Sequence, residues 1–232
     1  GLVCHVAFEV RTAEFERDRA VAHGIEDCPC NFDHPFRLAH QVPAASAAQH
    51  FLHGTCTMSG LFGVVSEENC MESLFYGVDY HSHLGSSYGG VAVLGKTFER
   101  RIHDLSQSQF KSKFSDELLN FKGNTGIGVI SDKDEQPVHI HSRHGSFCLV
   151  TDGFLENGDD LAAKLLKKGV SFSESRHEKT NMTELVGKLV IQGTSITDGI
   201  EKMFASIEGS CSLLLVCSEG IYAARDRYGH TP

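Results

Sequence analysis

Residues 57–63 read Thr57-Met58-Ser59-Gly60-Leu61-Phe62-Gly63. Met58 is the first methionine of the chain, and a short apolar run bounded by glycine begins two residues after it. A run of that length with those flanks predicts a buried strand over 60–65. The composition changes at the same point. No Lys precedes residue 58 and all 11 follow it, whereas residues 1–57 hold 6 of the 14 His, 4 of the 8 Cys and 3 of the 5 Pro. The chain opens on Gly1, so Met58 is the expected natural start. Residues 1–57 are read as an N-terminal extension, poorly structured or upstream sequence, and residues 58–232 as one domain.

The whole chain of 232 residues is 41% hydrophobic and 22% charged, which is enough apolar material for a core. A net charge of −9 without a Lys/Arg cluster disfavours nucleic-acid binding. No run of 18 apolar residues is present, so no membrane-spanning helix is expected. The start of the chain lacks the charged and apolar regions of a secretory signal. A cytoplasmic protein with reduced thiols is the expectation. Cys70, Cys148, Cys211 and Cys217 sit in or beside apolar stretches, where Cys behaves as a small hydrophobe.

Beyond residue 58, strands are predicted at 60–65, 89–94, 125–131, 137–142, 146–151, 212–217 and 220–225. The close pairs 125–131/137–142 and 212–217/220–225 predict antiparallel hairpins, the second through the two-residue turn Ser218-Glu219. Helical spacing marks 67–80, 159–168, 182–192 and 196–207. Lys167-Lys168-Gly169 supplies a basic last turn and a stop. Asn181 with Glu184 resembles a capping box. In 196–207, Ile196, Ile200, Met203, Phe204 and Ile207 share one face. The order of elements predicts an α+β fold with antiparallel sheet and outer helices.

Residues 1–57 show one weak helical stretch at 12–22, followed by breakers at Pro29, Pro35 and Pro43. Cys28, Cys30, His34 and His40 suggest a zinc site, but their spacing is not that of a strong finger, and incidental residues in unstructured chain are the favoured reading. His81 and His83, and the group His139, His141 and His144, are open to two readings as well. One is a metal site, with His139 and His141 on one strand face. The other is solvent-facing histidines on an edge strand.

The chemistry starts at Ser59. After removal of Met58 it would be N-terminal, and a terminal Ser, Thr or Cys is a nucleophile whose own α-amine, with a pKa of about 7.7–8.0, is the base. Ser59-Gly-Leu-Phe-Gly resembles the Cys-Gly-Val-Phe-Gly start of class II glutamine amidotransferases. Other motifs follow in the order and spacing of the amidophosphoribosyltransferase branch. Asp79-Tyr-His-Ser-His-Leu-Gly85 is similar to its Leu-Gln-His-Arg-Gly region. Gly126-Ile-Gly128 and Gln136-Pro137 are similar to its Gly-Ile-Gly-His-Thr-Arg and Gln-Pro. Thr151-Asp152-Gly153 through Asn157 lies where that branch has His-Asn-Gly-x-x-x-Asn. Gly209-Ser-Cys-Ser-Leu213 and Ala224-Arg225-Asp226 through Pro232 are similar to its Gly-Ala-Tyr-Ser-Leu and closing Arg-Asp-Pro-Tyr-Gly-Ile-Arg-Pro. The resemblance covers residues of about 58–232.

The resemblance implies a four-layer αββα N-terminal-nucleophile hydrolase fold. It implies glutamine as substrate and ammonia for phosphoribosylamine formation in purine biosynthesis. It also implies a downstream phosphoribosyltransferase domain or subunit as partner, and a homo-oligomer. No cofactor is expected in this domain; magnesium is expected only with the phosphoribosyltransferase part, which would begin near Pro232. No membrane or nucleic-acid partner is expected.

Four site positions depart from the family. Ser59 replaces the nucleophilic Cys. Asp152 replaces the Asn that, with Gly153, forms the oxyanion hole, and an ionised Asp cannot donate; loss of one such donor costs about 100- to 1,000-fold in rate. Ser131 replaces the Arg that grips the glutamine carboxylate, and a hydroxyl lacks the bidentate fork. Met182 stands where an acidic residue would hold the glutamine amino group. Two functions are therefore expected to compete: a serine-based glutaminase domain, and a catalytically degenerate domain with a structural or regulatory role.

Overall fold

A computed structural model describes residues 59–82, 87–118, 120–174 and 179–227, together with the backbone of 4–8 and 36–38. It contains two five-stranded sheets. The first runs β1(Cys4–Phe8), β3(Gly60–Val65), β6(Thr125–Ser131), β4(Tyr88–Leu94) and β5(Phe98–Asp104) in spatial order. The second runs β2(Phe36–Leu38), β10(Gly220–Arg225), β9(Gly209–Cys217), β8(Gly145–Leu155) and β7(Val138–Ser142). All pairings are antiparallel except β10 with β2, which is parallel.

Alternation of side chains builds four layers from these two sheets. Leu61, Ala92, Ile127 and Val129 of the first sheet meet Cys148, Val150, Leu214, Val216, Ile221 and Ala223 of the second. The opposite face of the first sheet, with Phe62, Val64, Val91 and Val93, packs under α1(Met71–His81) and α2(Phe110–Leu118). The opposite face of the second, with Phe147, Leu149, Leu213 and Leu215, packs under α3(Gly158–Lys167), α4(Met182–Val190) and α5(Ile196–Ser206). The result is the four-layer αββα sandwich that the sequence resemblance implies, with one apolar layer between the sheets and one under each outer helical layer. Among the described residues no helix is long and apolar enough to cross a membrane.

Local signals explain several element ends. Asn181 accepts the Glu184 N–H at 3.0 Å and caps α4. The reciprocal half of a capping box is missing, because the buried Glu184 carboxylate instead receives the Ser173 and Glu174 N–H groups at 2.8 Å each. Ser195 accepts the Asp198 N–H at 3.1 Å and caps α5. Ser218-Glu219 closes the β9–β10 hairpin as the spacing predicts.

The expected hairpin of 125–131 with 137–142 does not form. β6 is buried along its whole length and flanked on both sides, by β3 and β4, so it offers no free edge. The chain crosses to the other sheet, where β7 pairs with β8. β5 and α2 were not expected from the sequence. The first segment, read as poorly structured or upstream sequence, contributes the edge strands β1 and β2. The weak helical stretch at 12–22 and the candidate zinc residues Cys28, Cys30, His34 and His40 lie outside the described residues.

Candidate functional site

Ser59 sits immediately before β3, 6% exposed, where the first sheet meets the second. Its neighbour Gly60 lies against α1: a Cβ there would stand 2.5 Å from Cγ of the His81 ring. Only a residue without a side chain lets the chain enter β3 this close to the helix.

Strand β8 brings Asp152 and Gly153 to the same place. Asp152 pairs with Ser212 of β9, and Gly153 with Cys211. Gly153 has φ +134°, and a Cβ there would collide with the Ser210 carbonyl oxygen. Burial pushes the Asp152 carboxyl above its ordinary range. Hydrogen bonds from the Ser59 hydroxyl and the Gly153 N–H, and the charge of Lys133, pull it part of the way back, while Asp132 adds to the rise. The nucleophile position and the altered oxyanion-hole position thus lie together on one cavity wall.

Ser131 ends β6, one step beyond the Gly60–Ile130 pair and so level with Ser59. Its hydroxyl accepts the Gln136 amide at 3.1 Å and the Lys133 and Asp134 N–H groups at 3.4 Å. The residue that stands in the carboxylate-gripping position is therefore committed to shaping its own loop. Met182 opens α4, and its N–H donates to Asp134 at 3.1 Å. Burial raises the Asp134 carboxyl, against hydrogen bonds from the Met182 and Thr183 N–H groups and the charges of Lys179 and Lys133. Asp134 occupies the positive end of α4, where a carboxylate is favoured.

These elements enclose a cavity of about 310 Å³. Ser59, Ser131, Asp152, Gly153 and Met182 all line it, so the five positions named from the sequence converge. Its charged rim was not read from the sequence: Lys133, Asp134, Asp159 and Lys179 also line the cavity. The run Asp132-Lys-Asp-Glu135 directly after a strand was the available signal, and it reads as ordinary solvated loop. Cys211 lines the cavity too. Full burial, together with the negative Asp226 and Asp152, pushes its thiol far up, so it is no nucleophile. Asp226 is engaged elsewhere, accepting from the Ser210 hydroxyl at 2.6 Å and the Cys211 N–H at 3.0 Å.

The histidines do not join this site. His139 and His141 share a strand face with ring centroids 4.5 Å apart, and the His139 ring lies 5.1 Å from that of Phe98. His81 is buried under Gly60, and His83 lies outside the described residues. Among the described residues no group of three His, Cys, Asp or Glu is placed to hold a metal ion.

Residues 124–232 match the family model for the glutamine amidotransferase domain. The chain is 27% identical over 190 residues to an amidophosphoribosyltransferase of Methanocaldococcus jannaschii, covering 75% of this chain and 39% of that protein. It is 29% identical over 180 residues to a glutamine–fructose-6-phosphate aminotransferase (isomerizing) of Haemophilus influenzae, covering 72% of this chain and 28% of that one. Among solved structures, the glutamine phosphoribosylpyrophosphate amidotransferase from B. subtilis complexed with ADP and GMP superposes with a TM-score of 0.59 at 21% identity, over 72% of this chain and 37% of that one. The chain thus spans less than two fifths of the length of these relatives.

Proposed function

We propose that this chain is a class II glutamine amidotransferase domain, that it releases ammonia by acyl transfer to Ser59, and that it serves an amidophosphoribosyltransferase-like protein. The ammonia would pass to a phosphoribosyltransferase partner and form phosphoribosylamine, the purine-pathway reaction. The observation that carries this reading is the convergence of Ser59, Asp152 and Gly153 on one cavity of about 310 Å³. A nucleophile, a proton acceptor and a backbone N–H at one point are the parts acyl transfer needs. The likeness to the archaeal amidophosphoribosyltransferase favours this acceptor over the sugar phosphate of the aminotransferase relatives. The test is ammonia release from L-glutamine by protein whose mature N-terminus has been mapped by mass spectrometry. The expected result is release that Ser59→Ala abolishes; none from correctly processed protein rejects the reading.

A second reading is favoured by two particular residues. Asp152 places a carboxylate where a developing oxyanion needs a donor, and Ser131 leaves its position without the cation that a glutamine carboxylate needs. On this reading the fold is a structural or regulatory partner of a phosphoribosyltransferase that uses free ammonia. Ser59→Ala then leaves synthesis by the full-length protein unchanged.

A further inference from the structure

We propose that Lys133 and Asp134 hold the α-carboxylate and the α-ammonium of the substrate amino acid, doing from one loop what the altered positions Ser131 and Met182 no longer do. The inference rests on glutamine being the substrate, as proposed above, and names the residues of this chain that select it.

A free amino acid carries a negative and a positive group on one carbon. A cavity that selects it needs a cation and an anion close together, and neither a hydroxyl nor a thioether supplies charge. The Ser131 hydroxyl is already taken up, accepting from the Gln136 side chain and from the Lys133 and Asp134 N–H groups. The Met182 sulfur lies against the start of α3, where a Cβ on Gly158 would stand 2.7 Å from it.

The charges that these two positions lack return beside them. The Asp134 carboxylate accepts the Met182 N–H at 3.1 Å, so an acid stands at the backbone of the residue that has none in its side chain. Two residues after Ser131, Lys133 reaches across to β8, and its ammonium lies 3.5 Å from the Gly153 carbonyl oxygen. Both side chains line the 310 Å³ cavity with Ser59 and Gly153. A head group resting on this loop leaves the side-chain amide to face Ser59.

The loop is fixed in this course by the residue that has lost its own charge. Ser131 takes the N–H groups of both members of the pair at 3.4 Å each, and Gln136 ties the same oxygen to Thr151 of β8. Each charged group keeps capacity for a ligand. A carboxylate has about four acceptor sites, of which the Met182 and Thr183 N–H groups take two. An ammonium has three donors, and its long contact to a neutral carbonyl is weaker than the bond that a carboxylate would form. Lys179 and Asp159 line the cavity as well, both exposed. Lys133 and Asp134 are the charged residues of the lining that hydrogen bonds tie to the altered positions.

The test is a ligand-observed NMR titration of the intact chain carrying Ser59→Ala, which stops turnover. The ligands are L-glutamine, 4-aminobutanamide, which lacks the carboxylate, and 4-carbamoylbutanoate, which lacks the ammonium. Lys133→Met should weaken L-glutamine and 4-carbamoylbutanoate by about 10-fold or more, the scale of a charge-assisted hydrogen bond, and leave 4-aminobutanamide unchanged. Asp134→Asn keeps an acceptor for the Met182 N–H. It should weaken L-glutamine and 4-aminobutanamide by a similar factor and leave 4-carbamoylbutanoate unchanged. Lys133→Arg should retain most of the affinity. No loss, or the same loss for every ligand, in either substitution overturns the proposal. So does a carboxylate-dependent loss in Lys179→Met that Lys133→Met fails to give. The expected pattern without ammonia release from protein of mapped N-terminus removes the glutaminase reading and leaves the head-group site. Ammonia release with an affinity indifferent to both substitutions does the reverse, and no binding of L-glutamine overturns both.

Discussion

Gln136 and Thr151 grip each other twice. The Gln136 side-chain N–H donates to the Thr151 carbonyl at 2.9 Å, and the Thr151 N–H donates to the Gln136 side-chain oxygen at 2.7 Å. Both residues are buried, and Thr151 directly precedes Asp152. A third bond, from the same amide to Ser131, ties the end of β6 to β8. One side chain therefore sets the distance between the loop after β6 and the strand that carries Asp152. Gln136→Leu keeps roughly the same volume but leaves two buried backbone groups of Thr151 without partners. Each abandoned group should cost about 1–3 kcal/mol, read as a lower midpoint in urea unfolding.

The pH dependence of stability should carry the mark of the buried carboxyls. Asp152 and Asp134 both have pKa values raised in the folded protein. The folded state therefore holds those protons more tightly than the unfolded chain does. Their contribution to stability is full below the unfolded carboxylate range, near pH 3.8, and is lost as pH rises through the folded values. Asp152→Asn cannot ionise, so it escapes its part of that loss. Its urea midpoint relative to the unsubstituted protein should rise progressively above pH 4 and level off toward neutrality. An unchanged difference across that range would show that the carboxyl is not held out of its ordinary range.

Three of the four described thiols, Cys70, Cys148 and Cys211, should be inert. Burial pushes Cys70 up to about 11 and Cys148 up to about 12, and Cys211 further still. Almost no thiolate exists there at pH 8, and the thiolate is the reactive form. Brief alkylation of native protein with iodoacetamide at pH 8, followed by peptide mapping, should leave these three unmodified. The same treatment in denaturant should modify all of them.

Lys133 should tune the site from its rim. Its charge holds the Asp152 carboxyl down, and its ammonium lies 3.5 Å from the Gly153 carbonyl oxygen. Lys133→Ala removes that charge while leaving the exposed position easy to fill with water. Asp152 should then hold its proton to higher pH, so the gain in urea midpoint that Asp152→Asn gives should run to higher pH and reach a larger final value in the Lys133→Ala background. The same gain in both backgrounds would show that Lys133 does not act on Asp152.

The sequence made the central strands legible and the edges obscure. The runs 60–65 and 125–131 coincide with β3 and β6, because strands covered on both faces read as unbroken apolar stretches. β5 reads Phe-Glu-Arg-Arg-Ile-His-Asp, an edge strand with charges on its exposed positions and no such run. α2 buries Phe110, Phe114 and Leu118, one residue per turn, a stripe too narrow to stand out from its polar neighbours. Strand partners were harder still: runs 125–131 and 137–142 look like a hairpin by spacing, and only the crowding of β6 between two neighbours forbids it. At the site, the five residues given by the resemblance meet in one cavity. Asp134 and Lys179 were not legible, because they lie 45 positions apart and are joined only when the loop after β6 reaches the start of α4.

Ser59, Ser131 and Met182 sit where strands and a helix begin or end, Asp152 lies within β8, and the three apolar clusters that hold the layers together are built without these four. Ser59, Ser131 and Asp152 belong to none of these clusters, and Met182 only borders one of them. A substitution at these points leaves the three apolar clusters intact and alters chiefly the cavity and the loop beside it. Such a scaffold can wander through chemically different pockets by single steps, each intermediate remaining a folded protein on which the next change can act.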